Sequence, residues 1–279
     1  MKYYLKQILE ELYRIRGVDF SEYRQEYIEK RIDKNIKELK TDPETYLACL
    51  QKNHLECDRI IDDVLINVSS FFRNPLTFEI IAQNLIPQII DRKKKEKTRE
   101  IRIWSAGCAT GEEAYSIAIL IAEALKNEEQ DWWTAYIFAT DISSASLKSA
   151  ISGNYKREGL QDTKLGIIDQ YFIARENRYE VRPFIRKMVR FSRDDLTSDS
   201  RFAPADSVFG SFDLILCRNV VIYFSLELQK KVFKKLYTSL DRNGYLILGR
   251  ADSPDRLTQS RLITMDSMSR IFLKPEVKN

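Results

Sequence analysis

The stretch "IRIWSAGCATGEEAYSIAIL" (Ile101–Leu120) runs from a short apolar segment through two glycines into helical spacing. It reads as strand, glycine turn and helix. The same texture recurs downstream. "AYIFATD", "FDLILCRN" and "GYLILG" are short apolar runs ending in polar residues or glycine, and "EEAYSIAILIAEALKN" and "SLELQKKVFKKLYTSL" are helix-patterned. Such alternation predicts a parallel sheet covered on both faces, with the ligand at the carboxyl ends of the strands. The polar residues expected there are Ser105–Glu113, Asp141 and Arg218–Asn219.

Upstream, the first sixty or so residues read as wholly helical. Tyr23, Tyr27, Ile28, Ile32, Ile36 and Leu39 recur at three-to-four spacing, and Asp42-Pro43 opens a further helix. The run "DRKKKEKTRE" (Asp91–Glu100) reads as a solvated helix end. "YFIARENRYEVRPFIRKMVRFSRDDL" (Tyr171–Leu196) breaks the alternation and reads as short antiparallel strands. This predicts an all-α N-terminal domain and linker over 1–73, an α/β domain over 74–279, and a small β-insert at about 154–192.

Composition narrows the function. With 45 basic and 41 acidic residues, the net charge of +4 is well short of that of a dedicated nucleic-acid binder. Nothing approaches eighteen consecutive apolar residues, so no membrane insertion is expected. The four scattered cysteines read as reduced thiols of a cytoplasmic protein, with no zinc site. The single histidine, His54, leaves little material for histidine-based triads or metal centres.

The turn itself carries most of the information. Gly107 and Gly111 leave room for backbone to approach a ligand. Thr110 and Glu113 fit a capping box, with Thr110 at the N-cap. Glu112 is left over; it either favours the helix dipole or meets a cationic ligand. Two carboxylates would repel a pyrophosphate at the point where it should be cradled, which argues against NAD and ATP. S-adenosyl-L-methionine, with a sulfonium, an ammonium and no phosphate, suits the turn, and Glu112 would pair with its ammonium. Asp141 would accept hydrogen bonds from ribose hydroxyls, or else cap the next helix.

Three segments, "INVSSFFRNP" (Ile66–Pro75), "WSAGCATGEEAYSIA" and "FDLILCRNVVIYF" (Phe212–Phe224), together with "ATDIS", resemble the CheR family of chemotaxis receptor methyltransferases over nearly the whole chain. The resemblance implies a Rossmann-like S-adenosylmethionine-dependent methyltransferase domain. It implies transfer of a methyl group to glutamates on the cytoplasmic helices of chemoreceptors, leaving S-adenosyl-L-homocysteine. Family roles carry over to matching residues. Asn67, Ser69 and Arg73 would close over the cofactor; Ala106, Gly107 and Glu112 would hold its methionine part. Asp141 and Ile142 would hold the ribose, Asp195 and Leu196 would sit by the adenine, and Arg218 and Asn219 would line the methyl side. Arg73, Arg218 and Tyr223 are the catalytic candidates, with a structural ion pair as the competing role of Arg73 and core packing as that of Tyr223.

A glutamate with a pKa of about 4.3 is already the nucleophile near neutral pH, so a chain nearly free of histidine needs no general base. Arg24, Arg31, Lys34 and Lys37 would form a basic stripe for an acidic receptor helix. Interleaved acids, 12 against 12 basic residues over Met1–Ile60, equally fit a solvated face. The sequence departs from the family in three places. Where the family often has a Pro-Gly-Gly-type turn before its next-to-last core strand, this chain has "LDRNGYLILG", in which Asn243-Gly244 is expected to make the turn. Arg250 stands where the family has a histidine, and "ARENRYEV" lacks the glycine-rich loop of members tethered to a receptor tail, so no tether is expected. A non-catalytic binding module, a nucleic-acid methyltransferase and a dehydrogenase are the competing classes. The second lacks its Asn/Asp-Pro-Pro-Tyr/Phe signature at "CRNVVIYF", and the third conflicts with the acidic turn.

Overall fold

The computed structural model describes residues 2–65, 69–126, 128, 133–198, 203–204, 206–207 and 211–276. The chain forms two compact units. One comprises Met1–Asn67 with Ile222–Gln229, the other Val68–Val221 with Lys230–Asn279. The FFR segment, expected in the helical part, therefore belongs to the second unit, and "IYF" at 222–224 belongs to the first.

The helical unit contains α1 (Tyr3–Arg16), α2 (Gln25–Glu38), α3 (Pro43–Lys52) and α4 (His54–Leu65). Asp42 caps α3 as anticipated, its side chain accepting from the amides of Glu44 and Thr45. The apolar face of α2, Ile28, Ile32 and Ile36, is buried, while Leu39 lies beyond the helix end and is exposed. The returning segment joins this unit through Tyr23. Its ring packs on Phe224 at 4.9 Å, the Arg24 amide donates to the Tyr223 carbonyl at 2.9 Å, and the Ser225 amide donates to the Glu22 carbonyl at 2.9 Å.

The second unit begins with α5 (Pro75–Ile80), a π-helical turn at Ile81–Leu85 and α6 (Ile86–Lys95). Next come β1 (Glu100–Ala106), α7 (Glu112–Leu125), β2 (Thr134–Asp141), α8 (Ser144–Ser152) and β3 (Asn154–Tyr155). After them lie α9 (Leu165–Tyr171), β4 (Phe172–Arg175), β5 (Arg178–Val181), α10 (Pro183–Arg186) and β6 (Val189–Arg193). The chain closes with β7 (Phe212–Cys217), α11 (Leu226–Ser239), β8 (Leu240–Leu248), α12 (Arg256–Gln259), β9 (Ile263–Asp266) and β10 (Ile271–Leu273).

Seven strands form one sheet in the order β6-β2-β1-β7-β8-β10-β9. The first five are parallel, and β10 and β9 close the edge in antiparallel fashion. Ile101 and Ile103 of β1 share a buried cluster with Ile86, Ile89 and Ile90 of α6 and Ile117 and Ile121 of α7. Each such side chain contributes about 1.5–3 kcal/mol on burial.

Three sequence expectations change here. The insert is a three-stranded antiparallel sheet, β3-β5-β4, but it ends before residue 192. Val189–Arg193 is instead a parallel edge strand, with Ile137 opposite Val189 and Asp141 opposite Arg193. A short alternating run of this kind carries no mark of its partner's direction, so its pairing was not readable locally. Asn243-Gly244 lies within β8, at a register irregularity, with Asn243 at φ 56°. Nor is the charge run uniformly solvated. Asp213, 1% exposed on β7, accepts from Lys93 Nζ at 2.8 Å, from Arg92, and from the Arg102 amide at 2.8 Å. Burial nonetheless raises its carboxyl above the ordinary range, opposed mainly by the bond from Lys93.

Candidate active site

The strand order reverses between β1 and β7, and ligands of open α/β sheets bind beside such a reversal, past the carboxyl ends of the strands. The chain places Ala106-Gly107, Arg218-Asn219 and Asp141 at those ends. Both Gly107 and Cys108 donate to the Thr140 carbonyl, at 2.8 and 2.9 Å, so the turn folds toward β2. Asp141 locks it further. One carboxylate oxygen accepts from the Ala109 amide at 2.8 Å, with Ala109 at φ 47°, and the other from the Ser143 amide at 2.9 Å. Helix α8 is capped by Ser143, not by Asp141.

The glycines act differently from the expectation. Gly107 and Gly111 have φ of 75° and 92°, a region that glycine enters without strain. A Cβ on Gly107 would stand 2.5 Å from Val220 Cγ2, and one on Gly111 would stand 2.8 Å from Ala150 Cβ. Their open faces are thus filled by protein rather than kept for a ligand. The capping box is absent as well. Gly111 is the N-cap of α7 without a side-chain bond, and Glu112 and Glu113 are the first two helical residues.

Those two glutamates diverge. Glu112 is 6% exposed, its oxygens 2.9 and 2.7 Å from Thr110 Oγ1, with the Ser69 hydroxyl as a further partner. It forms no ion pair with Lys or Arg among the described residues. Burial raises its carboxyl above the ordinary value, opposed by the bonds from Thr110 and Ser69. Glu113 turns the other way. It accepts from Ser105 Oγ at 2.7 Å and pairs with Arg218 Nη1 at 3.3 Å. Burial and the charges of Asp141 and Glu113 push the Cys108 thiol well up. A turn with this field and an uncompensated carboxylate fits a cation and repels a phosphate.

The FFR segment lies against α7. The Phe72 amide donates to Ser116 Oγ at 3.0 Å, and Ser116 donates to the Glu112 carbonyl at 2.7 Å. Phe72 and Asn74 have φ of 54° and 66°. A left-handed phenylalanine costs on the order of 1–3 kcal/mol and persists only where its surroundings hold it. Arg218 supplies part of that hold. Its Nη2 donates to the Arg73 carbonyl at 2.8 Å and to Asn74 Oδ1 at 2.7 Å, and its guanidinium lies 5.4 Å from the centroid of the Phe78 ring.

The remaining expected residues fall as follows. Ala106 is buried at the end of β1. Ile142 is half-buried beside Asp141, and its carbonyl accepts from Arg193 Nε at 3.2 Å. The Asp194 amide donates to the Asp141 carbonyl at 3.2 Å, which brings Asp195 and Leu196 to the same strand end. Asp195 accepts from the Thr197 amide and hydroxyl, and the Leu196 carbonyl accepts from Lys235 Nζ at 3.0 Å. The Asn219 amide donates to Asp252 Oδ2 at 2.8 Å. Arg250 is exposed. Asn67 lies outside the described residues.

Tyr223 belongs to the helical unit, its ring 4.7 Å from that of Tyr27. There Arg24 Nε donates to the Phe224 carbonyl at 3.2 Å, Arg31 pairs with Asp63 at 3.5 Å, and Lys34 with Asp63 at 3.4 Å. Lys37 is exposed. The basic stripe is thus partly neutralised by its own unit.

Sequence reasoning missed Ser116, Asn74 and Tyr155, whose hydroxyl donates to the Thr110 carbonyl at 2.7 Å. A serine inside the apolar helix "YSIAIL" was the one readable signal; the Tyr155 contact depends on how the insert folds back.

Fold and turn together define an S-adenosylmethionine-dependent methyltransferase. Residues 67–269 match the CheR methyltransferase SAM-binding domain, and residues 4–65 match the CheR methyltransferase all-alpha domain. A chemotaxis protein methyltransferase of Listeria innocua is 33% identical over 238 residues, 85% of this chain and 84% of that protein. One from Borreliella burgdorferi is 29% identical over 254 residues, 89% and 87% of the two chains. An uncharacterized 104.1 kDa protein of Rhodobacter capsulatus is 32% identical over 237 residues, but this chain spans only 24% of its length. The chain belongs to the CheR methyltransferase family.

The raised carboxyl of Glu112 sets a pH dependence. Its folded value lies above the unfolded one, so the folded state is favoured below the unfolded value and loses that advantage as pH rises through the folded value. Without cofactor, Glu112→Gln is therefore expected to unfold at higher urea than wild type at pH 7. The gap should close as pH falls below about 4, where an unfolded glutamate also becomes protonated. A wild type more stable than the variant at pH 7 would contradict the reading.

Proposed function

We propose that this protein methylates glutamate side chains on the cytoplasmic helices of chemoreceptors and does so in the cytoplasm. The observation that carries the chemistry is the buried Glu112, which pairs with no Lys or Arg among the described residues, beside a loop that ends in Arg73. Bound S-adenosylmethionine supplies a methyl on a sulfonium, which a substrate carboxylate oxygen takes as the S–C electrons return to sulfur. No proton moves, so the residues need only bind, orient and exclude water.

Glu112 would accept the cofactor's ammonium, with Thr110 and Ser69 fixing the carboxylate. Asp141 would take the ribose, Ala106 and Gly107 the methionine backbone, and Ile142, Asp195, Leu196 and Asn219 the flanks of the cofactor. Asn67 is assigned only by family position. Arg73 would orient the substrate carboxylate through paired N–H donors. Tyr223 would face the substrate, from a backbone anchored on Arg24.

The exposed members of the stripe on α2, Lys34 and Lys37, favour an acidic helical partner. The tight β4–β5 connection favours substrate capture without a receptor-tail tether. No helix among the described residues is long and apolar enough to cross a membrane.

Purified protein, labelled cofactor and receptor cytoplasmic fragments should yield base-labile methyl esters. Arg73→Ala should cut kcat by roughly 100-fold, and Tyr223→Phe less. Undiminished transfer removes the residue from the catalytic set, and absent ester removes the activity. Reversing Lys34 and Lys37 to glutamate should weaken receptor affinity more at low than at high salt. Equal affinity at low salt would sink the docking surface.

A further inference from the structure

Glu113 has no part in the mechanism above, yet its carboxylate joins three pieces of the site. Ser105 Oγ ties it to the end of β1 at 2.7 Å, and Arg218 Nη1 ties it to the residue after β7 at 3.3 Å. The Arg218 side chain is 4% exposed and that of Glu113 12%, so this pair is shielded from water. The other end of the guanidinium reaches the FFR loop, with Nη2 at 2.8 Å from the Arg73 carbonyl and 2.7 Å from Asn74 Oδ1.

Arg73 stands between two residues, Phe72 and Asn74, held at positive φ. Such a backbone has other conformations within easy reach and stays in this one only while its contacts hold. The direction in which the Arg73 side chain leaves the chain thus depends on Arg218, and the guanidinium's orientation depends on a planar carboxylate partner. Among the described residues, Glu113 is the carboxylate that pairs with Arg218.

We propose that Glu113 is a positioning residue: acting through Arg218, it fixes the backbone from which Arg73 reaches the substrate carboxylate. This rests on the reading of Arg73 as the group that orients the substrate. It separates two glutamates that share one helical turn. Glu112 serves the cofactor, and Glu113 serves the loop on the substrate side. Arg218, with both terminal nitrogens engaged, becomes the link rather than a group in contact with the reacting atoms.

The test compares Glu113→Gln in the wild-type and Arg73→Ala backgrounds of the full chain. In wild type, kcat should fall about 10- to 100-fold, the scale of a displaced reacting group, while cofactor Kd holds. In the Arg73→Ala background the same change should alter kcat by no more than about twofold, the usual scatter of additivity. Equal losses in the two backgrounds would overturn the proposal, since a general structural defect subtracts from both.

Amide exchange over residues 70–76, read by mass spectrometry without substrate, decides independently of activity. Faster exchange in Glu113→Gln is expected, and unchanged exchange would overturn the proposal even if Arg73→Ala proved fully active and removed Arg73 from the mechanism. Should Glu113→Gln not fold, Ser105→Ala, which loosens the carboxylate and keeps both charges, carries the same comparisons with smaller expected changes and the same overturning results.

Discussion

A carboxylate kept from water, with hydroxyls but no cation beside it among the described residues, is the constraint on which the site depends. Glu112 is 6% exposed, and its described partners are Thr110 and Ser69. Burying such a group is unfavourable unless a positive charge arrives with the ligand. The surrounding architecture produces this situation directly. Strand β1 delivers the turn to the carboxyl end of the sheet, Asp141 pins it at Ala109, and Val220 and Ala150 fill the space a side chain would need at Gly107 and Gly111. Phosphate-binding turns of related topology gather amide N–H groups at the same place; here the acids reverse the preference.

The same helical turn also organises the substrate side. Ser116, one turn along α7, receives the Phe72 amide, and Glu113 holds Arg218 against the Arg73 carbonyl and Asn74. Local backbone strain at Phe72 and Asn74 is therefore balanced by contacts drawn from β1, α7 and β7. Cofactor end and loop are set by adjacent residues of one helix.

Much of this was legible in the chain. Alternating apolar runs announced the parallel sheet because each buried strand must be apolar on both faces. Glu112 stood out because a carboxylate at a glycine turn is chemically wrong for phosphate. What stayed hidden depended on partners far away in sequence. Glu113 looked like half of a capping box until Arg218, 105 residues later, was seen to occupy it. Arg92 and Lys93 looked solvated because their partner Asp213 sits on a distant strand. Val189–Arg193 looked like part of the insert because a five-residue strand does not announce its neighbour.

The most direct test of the central claim is the affinity of wild type and Glu112→Gln for S-adenosylmethionine and for its deaminated analogue, measured by calorimetry at pH 7. If Glu112 receives the ammonium, wild type should bind the analogue roughly 10- to 100-fold more weakly, the worth of one charge-assisted bond. The variant should bind the two ligands within about twofold of each other, the usual scatter of additivity. Equal affinities in wild type, or the same discrimination in both proteins, would contradict the assignment.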